Sequence, residues 1–299
     1  MTANHSASTK PAPRFAETEA PVKHRTLRLT PTAWFGGLIL VFWIAVAILG
    51  PAIAPFGEGE IVSTESFKIV DEAGFLGTDY LGRDLLSRIM FGARMTLGLA
   101  MIATLLSFST GIALGFIAAI AGGWLDQVLS RAVDAIMAFP SIMLALIIIG
   151  GVGTSLPVVI LTVAMIDATR VYRLSRALAL DASVMDYVEV ARARGEGPVW
   201  IMVSEILPNT IVPLAAEFGI RYTFAILFIS ALSFLGLGVQ PPGADWGVMV
   251  KENLQGLLYG APAALLPAAC IATVTVGVNL LVDWFLHRSS TEISEEMLK

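Results

Sequence analysis

The chain has 299 residues, of which 56% are hydrophobic and only 14% charged, with a mean hydropathy of +0.77. A soluble domain is about 45–50% apolar and about 25% charged, so this composition excludes an ordinary soluble protein and indicates an integral membrane protein. The net charge of −5 is small and dispersed, which argues against a nucleic-acid partner.

Residues 1–30 are rich in Ala, Thr, Pro and charge and read as a mobile tail, too long to be the leading region of a cleaved signal. A helix needs about 20 apolar residues to cross a bilayer, and six stretches approach that: Trp34–Ala54, Leu97–Ala121, Ala132–Gly150, Leu156–Thr169, Ile211–Leu235 and Ala263–Phe285. The first crossing takes up residues 31–56. Residues 57–94 then form a segment outside the membrane. Within it Leu81, Leu85, Leu86, Ile89 and Met90 make the apolar stripe of an amphipathic helix lying on the membrane surface, with Arg83, Asp84 and Arg88 on other faces. Residues 95–286 hold the other five crossings. Gly111 and Gly115 are spaced to let a second helix approach closely, from this chain or from a partner. Phe139-Pro140 interrupts the third stretch and predicts a kink or a restart, because Pro lacks a backbone donor and restricts the residue before it. Leu156–Thr169 is short as drawn. In "QPPGADWG" (Gln240–Gly247) the prolines and glycines predict a tight loop, and Trp246 suits a membrane interface. Cys270, the single cysteine, lies in an apolar run and reads as a packed thiol. Residues 287–299 form a second tail.

Lys and Arg set the orientation. With six crossings the termini share a side. The tails and even-numbered loops hold thirteen of the nineteen basic residues, which places both termini and the loop after the fourth crossing in the cytoplasm. That loop contains "DYVEVARARGEGPVWIMVSEILPN" (Asp186–Asn209). Asp186 predicts an N-cap with Glu189 as its capping-box partner, and Gly195 suits the left-handed position past a helix end. A second helix can start at Pro198 and should stop before Pro208. A rigid element of this kind suits docking of a cytoplasmic partner; a plain solvated connector is the alternative. The intramembrane charges are Asp167, Glu217, Arg221 and Asp283, and Glu217 and Arg221 sit one turn apart, so they can neutralise each other. Ser230, Ser233 and Asn279 either line a polar translocation path or bond one helix to another. No His/Cys/carboxylate cluster has metal-site spacing, no nucleophile sits beside a base, and no GxxxxGK[ST] phosphate loop is present.

"EVARARG" (Glu189–Gly195) followed by "ILPN" resembles the EAA loop of ABC-importer permease subunits. Glu189, Ala191, Gly195, Leu207 and Pro208 match that motif, while Val190 and Glu205 depart from it. "FLGTDYLGRDLLSRIMFGAR", "DAIMAFPSIMLAL" and "ALSFLGLGVQPPGADWGVMV" resemble the dipeptide, oligopeptide and nickel branch of the same family. The resemblance implies an all-α permease of type I with six transmembrane helices and a cytoplasmic coupling helix, located in a bacterial inner membrane. The ATPase-coupling residues would be Asp186, Glu189, Ala191, Gly195, Leu207 and Pro208. It implies no cofactor and no catalytic site in this chain. Its partners would be a second permease, two ATP-binding subunits, an extracytoplasmic substrate-binding protein and membrane lipid. The cargo would be di- or oligopeptides, with nickel or glutathione as the alternative within the class. An ion-coupled secondary transporter is the alternative outside it.

Overall fold

The computed structural model describes residues 30–68 and 75–296, with side chains to residue 288. The expected N-terminal tail lies outside that range apart from Thr30. Among the described residues the chain is helical, with two isolated β-bridges and no strand.

Helix α1 (Pro31–Ile53) starts where the sequence puts a Thr before a Pro. The Thr30 hydroxyl accepts the Ala33 N–H at 3.3 Å, and Pro31 needs no partner for a donor it lacks. Helix α2 (Leu85–Ala121) is 37 residues long and starts at Asp84, whose carboxylate accepts the Ser87 N–H at 2.8 Å. The separate surface helix expected before residue 94 is instead the first turns of α2. At about 1.5 Å per residue α2 is about 55 Å long, well beyond a hydrocarbon core of about 30 Å. Its polar beginning therefore needs no membrane surface to lie on, and Arg88 there is buried by protein.

The third expected crossing is broken at the predicted place. Helices α3 (Gly123–Met137) and α4 (Ser141–Val152) meet at a bend of 90° around Phe139-Pro140. Helix α5 (Leu156–Ser183) runs well past Thr169, so Arg170, Arg173 and Arg176 lie on the helix and not in a loop. Arg176 holds α3 through two bonds to Asp126, at 2.5 and 2.6 Å. After the segment described below come α8 (Leu207–Phe234), a short α9 (Trp246–Glu252), a 3-10 turn (Leu254–Tyr259) and α10 (Leu265–Glu296). Helix α10 continues through Glu296, so most of the expected second tail is helical. Four helices are long and apolar enough to cross a membrane (α1, α2, α8 with the turns before it, and α10), and the bent α3–α4 pair makes a fifth candidate.

Close contacts fix the directions. Gly50 of α1 meets Met90 and Gly36 meets Gly277 and Leu280, so α1 runs antiparallel to both α2 and α10. Gly219 of α8 meets Val282, and Thr223 meets Asn279, again antiparallel. Helices α2 and α5 run parallel, with Gly111 against Ala168 and Val171, and Gly115 against Tyr172 and Ser175. The close-approach glycines thus serve packing within this chain. A Cβ on Gly115 would lie 2.8 Å from the Tyr172 carbonyl oxygen and 2.9 Å from the Arg176 nitrogen. The Ser175 hydroxyl donates to the Gly111 carbonyl across the same seam at 3.0 Å.

Overpacking of this kind costs about 1–3 kcal/mol or more. Gly115→Leu is therefore expected to lower the unfolding temperature of the detergent-solubilised protein, whereas Gly150→Ala, whose new methyl would meet nothing within 4 Å, is expected to leave it unchanged. Equal melting of the two variants would contradict the seam.

Candidate functional site

The Asp186–Asn209 segment folds as a braced corner. Helix α6 (Asp186–Ala193) begins one residue earlier than a cap at Asp186 would allow. Met185 is the capping residue, and its carbonyl accepts the Val188 and Glu189 N–H groups. The expected capping box is therefore not formed, and Asp186 and Glu189 instead lie in the first turn, where carboxylates suit the helix dipole. Gly195 takes the left-handed conformation expected of it (φ +82°). Its N–H bonds to the Arg192 carbonyl and that of Glu196 to Ala191, the paired hydrogen bonds of a Schellman ending.

Helix α7 (Pro198–Ile201) starts at Pro198 as expected, but the helix does not stop before Pro208. A π-turn at Met202–Ile206 carries it into α8, with the Leu207 N–H bonding back five residues to the Met202 carbonyl. The widened turn absorbs a residue that has no N–H to offer.

Val188 and Ala191, one turn apart on α6, are fully buried. They meet Phe116 of α2, Ala179 and Ala182 of α5, and Ile201, Ile206 and Leu214. Leu207 packs half-buried on the same cluster, and Pro208 is exposed. Asp186, Glu189 and Arg192 face outward together with the apolar side chains Tyr187, Val190, Val199, Trp200 and Val203. Glu205, which departs from the family motif, faces Arg194 at 3.9 Å, and Arg194 lies over the Trp200 ring. The result is a small helix fixed by its inner face to three long ones, α2, α5 and α8, with a mixed apolar and charged face left open. Such a face can hold a protein partner and pass its movement to α2 and α5.

The opposite end of the bundle is locked by charges that sequence reading left dispersed. Asp79 pairs with Arg83 at 2.6 Å and with Arg88 at 3.5 Å. Glu252 pairs with the same two arginines at 3.1 and 3.2 Å. The Tyr80 hydroxyl donates to Glu252 at 3.2 Å. Its burial and the neighbouring carboxylate push its pKa up. Trp246, expected at a membrane interface, is fully buried instead. Its ring N–H donates to the Ile89 carbonyl at 3.1 Å and the ring stands edge-on to Trp43. Asp245 caps α9 and accepts the Thr96 hydroxyl at 2.6 Å, while burial pushes its carboxyl up. Asp79 and Arg83 sit one turn apart, but no local pattern announces the rest, because Glu252 lies 169 and 164 residues from Arg83 and Arg88, and Trp246 lies 157 from Ile89.

Of the three expected path residues, Ser233 is fully buried, and Ser230 is buried beside Gly247 of α9, bordering a shallow depression. Asn279 is exposed on α10, and its side-chain oxygen accepts the Thr223 hydroxyl at 3.4 Å, a helix-to-helix bond. The structure does not bring the three to one opening. Glu217 and Arg221 pair at 2.7 Å as their spacing predicts, and Arg221 also reaches the buried Asp167 at 3.5 Å, beside Arg170 at 3.3 Å. Among the described residues no group of His, Cys, Asp and Glu is placed to hold a metal ion.

Several helices long and apolar enough to cross a membrane, with a rigid, partly apolar corner at one end, define a multi-pass membrane protein. The chain belongs to the family of binding-protein-dependent transport system inner membrane components, whose pattern matches residues 111–291. It is 31% identical to a glutathione transport system permease protein of Pectobacterium atrosepticum, over 83% of this chain and 82% of the relative. It is also 31% identical to a dipeptide transport system permease protein of Alkalihalophilus pseudofirmus (87% and 85%), and 33% identical to a di/tripeptide transport system permease protein of Pseudomonas aeruginosa (83% and 84%).

Removing one partner from a buried ion pair costs about 3–5 kcal/mol, because the other charge is left uncompensated. Arg88→Met is expected to destabilise the purified protein by about that much in thermal or denaturant unfolding. A loss under about 1 kcal/mol would show that the cluster is solvated and not buried.

Proposed function

We propose that this chain is the membrane-spanning subunit of an ATP-driven importer of di- and oligopeptides. The names of its relatives in Alkalihalophilus and Pseudomonas support that cargo, and the family's printed description supports delivery by a binding protein. The observation that carries the mechanism is α6, whose inner residues Val188 and Ala191 are fully buried while its outer face stays open.

In this reading the bundle crosses the membrane six times, through α1, α2, the bent α3–α4 pair, α5, α8 and α10. Helices α2 and α5 are parallel, so the chain has to return between them, and the bent pair is the return. The ends of α1 and α10 then share the side of α6, and the basic residues put that side in the cytoplasm. Residues 57–84 and α9 lie on the outer side, facing the binding protein. Helix α6 is the coupling helix. Asp186 and Glu189 contact an ATP-binding subunit. Ala191 admits close seating on the bundle, Gly195 makes the corner, and Leu207 with Pro208 forms the return to the membrane.

Closure of two ATP-binding subunits on ATP pushes this corner, and its mounting on α2 and α5 converts the push into rocking of the bundle. A second, related permease supplies the other half of the path, to which exposed Asn279 contributes. The ATP chemistry belongs to the partners, and this chain contributes coupling and passage.

The relative in Pectobacterium favours a second reading, in which the same machine carries glutathione. Labelled dipeptides, longer peptides, glutathione and nickel offered to a strain lacking only this chain separate the readings. Loss of ATP-dependent peptide uptake is expected. Loss of glutathione or nickel uptake alone would keep the architecture and replace the cargo. Uptake that follows an ion gradient and ignores ATP depletion would overturn the importer.

Glu189→Lys reverses a charge on the open face of α6 without touching its buried side. It is expected to cut uptake by about tenfold or more, the loss that follows from about 1.4 kcal/mol of docking, while the amount of protein in the membrane stays constant. Unchanged uptake would remove Glu189 from the contact.

A further inference from the structure

The bundle has an open trough on the side formed by α1, α2, α8 and α10. Two cavities of about 500 and 410 Å³ share Ile44, Leu97, Met101 and Tyr222 as walls, so they adjoin. Its inner part is lined almost wholly by apolar side chains, including Val278 and Phe285 of α10. At its mouth stands Arg94, exposed and without an ion-pair or hydrogen-bond partner among the described residues.

The position of Arg94 matters. The apolar run of α2 begins at Leu97, so Arg94 lies one turn outside the hydrocarbon, at the depth of lipid headgroups. The Tyr222 hydroxyl meets the Leu97 carbonyl at 3.4 Å, which sets α8 level with α2. From Arg94 to Leu97, and on along α8 from Tyr222 to Ala215, the trough runs inward by about 15 Å. Counted from Leu97, about 10 Å of it lies within a hydrocarbon core of about 30 Å, inside one leaflet. Gly98 faces the outer cavity, and a Cβ there would meet nothing within 4 Å.

We propose that this trough is a binding site for an anionic diacyl phospholipid of the leaflet opposite α6. One acyl chain lies along Leu97, Gly98 and Met101, and the Arg94 guanidinium holds the phosphodiester. Guanidinium suits phosphate because it presents planar paired donors, and no carboxylate lines the mouth to compete for it. The bound chain fills the space that α1 leaves between itself, α2 and α8 at this level.

The test is native mass spectrometry of the assembled transporter after exchange into equal mole fractions of phosphatidylglycerol and phosphatidylcholine. The wild-type complex is expected to retain phosphatidylglycerol with a preference of about fivefold, the effect of one arginine close to anionic lipid. Arg94→Gln should bring that preference to about one. Gly98→Leu should lose the retained lipid while circular dichroism stays unchanged. A preference that survives Arg94→Gln would overturn the headgroup assignment, and lipid retained by Gly98→Leu would overturn the trough. Should either variant fail to assemble, equal retention of both lipids by the wild type would be enough to reject the site.

Discussion

Gly111 and Gly115 let α5 lie directly against α2, backbone to backbone, and the mounting of α6 depends on that contact. Close approach is what small residues contribute where lipid supplies no hydrophobic drive between helices. The Ser175 hydroxyl adds a bond to the Gly111 carbonyl across the seam. Because the two helices are parallel, the chain between them must turn back, and the break at Pro140 is where it does so. The platform under α6 is then made of the ends of these same helices, through Phe116, Ala179 and Ala182. Leu214 of α8 completes the platform, so α6 rests on this seam and on α8 together.

The far end is organised by a different force. Asp79, Arg83 and Arg88 are taken out of water together, with Glu252 half-buried beside them, and each arginine faces both carboxylates. Such a cluster contributes little net stability compared with apolar packing, but it tolerates few alternatives because any missing member leaves a buried charge. It ties the start of α2 to the end of α9. Trp246, seated against Trp43 and bonded to Ile89, closes the same end from within. One end of the protein is thus held shut by internal bonds, and the other offers a surface to a partner.

Much of this was legible in residue order. The apolar runs of α1, α8 and α10, the restart at Pro140 and the left-handed Gly195 each follow from a local rule, and the structure keeps them. Five features were not legible, for identifiable reasons. Arg83 and Arg88 look like the polar face of a surface helix because Glu252, which neutralises them, lies 164 residues after Arg88. Trp246 looks interfacial because its acceptor, Ile89, is equally remote. The cap at Met185 uses only a backbone carbonyl, which no side chain advertises. The passage past Pro208 depends on a π-turn, which relaxes the rule that Pro ends a helix. Leu156–Thr169 looked short because Asp167, Arg170 and Arg173 dilute its hydropathy, although the helix continues. In the candidate site, the corner at Gly195 and the start at Pro198 were readable from residue type, and the buried pair Val188 and Ala191 was not assigned to a face. The role of Glu205 was not readable, since its partner Arg194 is met only through the folded corner.

The central claim is that the open face of α6 is where an ATP-binding subunit seats. Val190 sits in the middle of that face, and the chain's single native cysteine, Cys270, is buried. The direct measurement is thiol cross-linking of the Val190→Cys variant in the assembled transporter, with and without ATP. The account predicts an adduct between this chain and an ATP-binding subunit, with a yield that changes when ATP binds. A transport-competent complex in which the introduced thiol reacts freely with a small thiol reagent and forms no adduct with that subunit in either state would contradict it.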